Sequence, residues 1–124
     1  MIEENYVSFE TAKLLKEKGF ECATPHYYYD EDGDLLFSTW NIGAGKNTFV
    51  APSLEIAMKW LREVYRIDIE VRTHYLNYLK PNDTRFYSGK ILKGSEDVIH
   101  TIYSKDTYEE VCESAIKYCL ENLI

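Results

Sequence analysis

The chain has 124 residues, 45% of them apolar and 28% charged, with a formal net charge of −7. That size and balance suit one globular domain, residues 1–124, able to bury a core without disulfides or metal, and they exclude a disordered chain. No apolar run approaches the ~18 residues that cross a bilayer, and the acidic start, Met1 to Tyr6, is unlike a secretory signal, so no membrane partner and a cytoplasmic setting are expected.

Ser8 is an N-cap, and Phe9, Ala12 and Leu15 after it share one helical face. Gly19 ends that helix, since glycine accepts the left-handed conformation of a helix stop and Phe20 can fold back onto Leu15. Thr24 to Asp30, the turn Glu31-Asp32-Gly33-Asp34 and Leu35 to Asn41 read as a β-hairpin. Gly43, Gly45 and Asn47 mark a loop over 42–48, with a short extended piece at Thr48 to Ala51.

Ser53 opens a second helix, whose stripe is Leu54, Ala57, Met58, Leu61, Val64 and Tyr65, with Trp60 flanking it. From 67 to 79 the residues alternate: Ile67, Ile69, Val71, Thr73 and Tyr75 point one way, Asp68, Glu70, Arg72 and His74 the other. A turn at 80–83, a strand from Thr84 to Leu92, a turn at 93–96 and a strand from Asp97 to Tyr103 complete an antiparallel meander. The last helix is capped by Asp106 with Glu109 three residues on, and its stripe is Tyr108, Val111, Cys112, Ala115, Ile116, Cys119 and Leu123. The order α-β-β-α-β-β-β-α predicts an α+β fold: a mostly antiparallel sheet of about five strands with three helices packed on it.

Charge is unevenly spread. Residues 1–58 hold 4 basic and 10 acidic side chains, residues 59–93 hold 8 and 4, and residues 94–124 hold 2 and 7. Within the basic middle, Lys59, Arg62 and Arg66 form a stripe on the second helix, and Arg72 and His74 follow on the next strand. These five are the candidate binding residues, for an anionic ligand or nucleic acid; a solvated helix face, with Glu55 and Glu63 spaced to pair locally, is the plainer reading. The 11 tyrosines suit contact surfaces as well as half-buried sheet faces.

Motifs for chemistry fail one by one. The acidic stretch 30–34 has Thr39 where a calcium loop needs its bidentate Glu, and Gly43 to Asn47 lacks the spacing and the hydroxyl of a phosphate loop. Cys22 and His26 have no second ligand pair, while Cys112 and Cys119, about 10.5 Å apart along a helix, are core thiols rather than a disulfide. No metal, cofactor or catalytic residue is therefore expected.

Tyr6 to Phe20 and Ala51 to Val64, with a helix after a Tyr- and Ser-containing segment at the C-terminal end, resemble segments of small uncharacterised proteins of gut Bacteroidetes and their phages. The resemblance implies a phage or mobile-element origin and carries no activity. The expected function is a non-catalytic protein-binding domain, with a homodimer as one partner and nucleic acid disfavoured by the total charge. An enzyme with scattered catalytic groups is the alternative.

Overall fold

Local capping chemistry sets where the helices begin and end. In the computed structural model, α1 (Phe9–Glu17) and α2 (Leu54–Tyr65) each follow an extended serine, Ser8 and Ser53, whose hydroxyl accepts from the backbone N–H three residues on. Satisfying that otherwise orphaned donor is what makes serine a start signal. Beyond α1, Gly19 takes φ +89°, Phe20 N–H donates to Leu15 O at 2.9 Å and Gly19 N–H to Lys16 O at 3.2 Å. These are the paired bonds of a Schellman stop.

The structure describes residues 5–22, 24–29, 34–42, 48–75, 85–95 and 97–124. The acidic tip at 30–33, the Gly-rich segment at 43–47 and the expected turn at 80–83 lie outside these residues. After α1 come β1 (Thr24–Tyr29), β2 (Leu35–Ile42) and β3 (Thr48–Val50), and after α2 come β4 (Ile67–Tyr75), β5 (Arg85–Lys93), β6 (Val98–Lys105) and α3 (Tyr108–Asn122).

The expected sheet of five strands is instead two sheets of three, ordered β2-β1-β3 and β4-β5-β6, antiparallel throughout. The extended piece at residue 48 is a true strand, because β1 has a second edge and Tyr27 to Tyr29 pair with Thr48 to Val50 along it. The α+β class stands. The last strand runs two residues further than expected, to Lys105, accommodated by register shifts against β5 at either end of β6.

Three helix details differ from the sequence expectation, the first being that Tyr108, expected in the buried stripe of α3, is exposed in its first turn. Thr107, not Asp106, caps α3, because its backbone is extended and its hydroxyl accepts from Glu110 N–H at 3.1 Å. Val64, expected in the buried stripe of α2, is 57% exposed, since in the last turn it is Tyr65 that packs on the core. Trp60 flanks the core as expected, its ring edge-on to Phe20 and Tyr65.

The core is shared by both halves: Val7, Leu15, Phe20, Leu61, Ile67, Ile91, Ile116 and Leu120 are fully buried together. α3 lies against β4 to β6, and α2 against β4 and α3. Approach is closest at Gly89 on β5, where a Cβ would lie 2.6 Å from Val111 Cγ1 of α3. Among the described residues no helix is long and apolar enough to cross a membrane.

Candidate functional site

The N-terminal end of α1 meets α3 through Glu113. Its Oε1 accepts from the Ser8 backbone N–H at 3.1 Å and from the Thr11 hydroxyl at 2.6 Å. Thr11 is fully buried and its hydroxyl also accepts from Ser8 Oγ at 3.1 Å. Beside them, the buried Tyr28 hydroxyl donates to Val7 O at 2.7 Å. Burial, with a smaller contribution from the Glu113 charge, pushes the Tyr28 phenol above its ordinary value.

Glu113 Oε2 is different. It is enclosed and has no hydrogen-bond partner among the described residues. A buried carboxyl oxygen without a hydrogen-bond partner is costly, and native structures hold few of them. Glu113 lines an open cleft of about 310 Å³ together with Asn5, Tyr6, Ser8, Leu54, Glu109, Glu110 and Ser114. Three carboxylates thus line one cleft, with Tyr6 and Leu54 supplying an apolar wall. α3 places Glu109, Glu110 and Glu113 within little more than one turn, and the backbone bonds Val7 N–H to Pro52 O and Leu54 N–H to Asn5 O bring the second wall alongside.

The sequence-derived binding residues lie elsewhere and divide into groups. Arg62 and Arg66 line a second open pocket of about 430 Å³, with Glu63, Asp68, Gly94 and Ser95. Arg66 holds that corner in the left-handed conformation, φ 56°, while its carbonyl accepts from Gly94 N–H. Lys59 is exposed on α2 and does not line that pocket. Arg72 and His74 project from β4 on the face away from the helices, where His74 stacks on Phe86 at 4.6 Å and its Nε2 lies 2.7 Å from Ser88 Oγ.

The histidines do not converge. His74 is level with Phe86 and His100 with Ile91, about 17 Å apart along β5 at ~3.3 Å per residue. His100 turns the other way and stacks on Tyr118 of α3 at 3.7 Å. Tyr87 packs edge-on to Tyr108. Cys22 is exposed and His26 stacks on Tyr6; among the described residues no group of three or more potential ligands could hold a metal. Cys112 and Cys119 are core residues, and burial pushes their thiols up to about 11 and about 12.

No protein-family model matches this chain, and searches of curated proteins and of solved structures return no match.

Proposed function

We propose that the chain is a non-catalytic protein-binding domain that takes a cationic side chain of its partner into the cleft beside Glu113. The observation that carries this reading is the enclosed, unpartnered Oε2 of Glu113 in a cleft it shares with Glu109 and Glu110. A small turn of the Glu113 carboxyl would bring Oε2 out to the cleft, where a Lys or Arg head would supply the missing donor and its aliphatic stem would lie along Leu54 and Tyr6. Catalysis is less well supported: the cleft's titratable lining is carboxylates and a tyrosine, and Ser8, the hydroxyl beside Glu113, is engaged as the cap of α1. Anion or nucleic-acid binding at Arg62 and Arg66 is weakened by Glu63 and Asp68, which offset two positive charges with two negative ones in the same pocket.

The test is an NMR titration of labelled protein with N-acetyl-arginine amide, and with N-acetyl-norleucine amide as neutral control. Shifts confined to the amides of Ser8, Glu109, Glu110, Glu113 and Ser114, for the cation alone, are expected. Glu113→Gln keeps an acceptor for Ser8 and Thr11 and should abolish them. Shifts that persist in this variant, or that cluster on β4 to β6, refute the reading.

A further inference from the structure

Among the described residues, the sheet β4-β5-β6 has two unpaired edges of unlike character. On β6 the pairing is broken by two register shifts, and Ser104 adopts φ 27°. Bulges of this kind blunt an edge against further pairing. β4 is the opposite: nine successive residues, Ile67 to Tyr75, pair with β5 without a shift. It has no proline or glycine, and its outward backbone groups form a straight row.

The side chains on that row are antisymmetric about Val71. On the face away from the helices stand Asp68, Glu70, Arg72 and His74, two acidic residues followed by an arginine and a histidine. Neither Glu70 nor Arg72 has a side-chain partner among the described residues. We infer that β4 pairs antiparallel with β4 of a second copy about a two-fold axis at Val71, joining two three-stranded sheets into one of six strands. In that register Glu70 stands opposite Arg72 of the second copy, twice over by symmetry, and Asp68 stands opposite His74.

Neighbouring registers fail. Centring on Glu70 or Arg72 sets like charges against each other, and an offset of one residue sends the apolar face to the wrong side of the sheet. The Val71 register is also the one in which all nine residues overlap, giving about eight to ten interchain backbone hydrogen bonds. On the helix side it sets Ile69 opposite Thr73 and Ile67 opposite Tyr75. Ile69 and Val71 are only half-buried although they pack on the core, and Thr73 and Tyr75 are exposed. A two-fold pair is the commonest closed assembly of identical chains. This inference is independent of the cleft beside Glu113.

Sedimentation velocity across a concentration series tests it, with circular dichroism to confirm that each variant is folded. The wild type should dimerise with a Kd of roughly 10–100 µM, suited to a small interface. Glu70→Arg sets Arg against Arg72, and Arg72→Glu sets Glu against Glu70, so each should weaken the dimer by roughly tenfold or more. Mixed together, the two variants have complementary rows and should recover a heterodimer at wild-type strength. A wild type monomeric throughout that range, single variants that dimerise like it, or a mixture that stays monomeric would each overturn the inference.

Discussion

Gly89→Ala is the sharpest perturbation of the packing. The new Cβ would meet Val111 Cγ1 at 2.6 Å, about 1 Å inside an ordinary carbon contact. Val111 cannot turn aside cheaply, because a β-branched side chain in a helix has one strongly preferred rotamer. Two residues further on, Glu113 is tied to Ser8 and Thr11, so α3 is not free to slide. Overpacking of this kind costs about 1–3 kcal/mol, and the lower backbone entropy of Ala relative to Gly returns about 0.5–1 kcal/mol. The net loss should be about 1–2 kcal/mol, measured by urea unfolding followed by circular dichroism, with a fall in Tm of about 3–8 °C. Val111→Ala alone should cost about 2 kcal/mol, from two buried methyl groups and the void they leave. The double variant should cost at least ~1 kcal/mol less than the sum, because each change accommodates the other. A Gly89→Ala protein within about 0.5 kcal/mol of wild type, or strict additivity in the double variant, would refute the reasoning.

In the folded protein at about pH 8, one thiol of three should react rapidly with a disulfide reagent, and all three should react in guanidinium chloride, since Cys22 is exposed and the other two are buried. Cys112 and Cys119 keep their protons in the folded state above the ordinary value of 9.0. Above that pH the unfolded chain binds fewer protons, so their contribution to stability is present below about pH 9 and is lost as pH rises, readable as a falling Tm. Arg66→Gly should raise stability by roughly 0.5–1 kcal/mol, because a left-handed residue with a Cβ is strained there, and thermal melting in matched buffers measures it.

What was legible in the sequence was local chemistry. Ser8 and Ser53 announce helix starts because a hydroxyl three residues before an N–H is a complete interaction, and Gly19 announces a stop because its φ of +89° suits few other residues. The burial of Cys112 and Cys119 followed from periodicity alone. The division into two sheets was not legible, since nothing in Thr48 to Val50 says which edge they join; the decision rests with Tyr27 to Tyr29, some twenty residues earlier. The candidate cleft was missed for a related reason. Glu113 borders an apolar stripe and reads as a solvated helix position, and its meaning comes from Ser8 and Thr11, 105 and 102 residues away. The basic stripe was visible, but Asp68, which balances it, reads from sequence as one polar position of an alternating strand.

The latch between Ser8, Thr11 and Glu113 also bears on the order in which structure can form. Lys18 Nζ donates to Ile124 O, and Lys117 pairs with Glu10, so the earliest helix in the chain finds much of its polar support in the last one. A nascent chain leaving the ribosome at ~5–20 residues per second would carry α1 for several seconds before α3 is made. Nine residues are too few to hold a helix in water unaided. The polar support that α3 gives the first helix therefore arrives only when the end of the chain does, and until then α1 has the rings of Tyr28 and Phe49 against Phe9 to hold it.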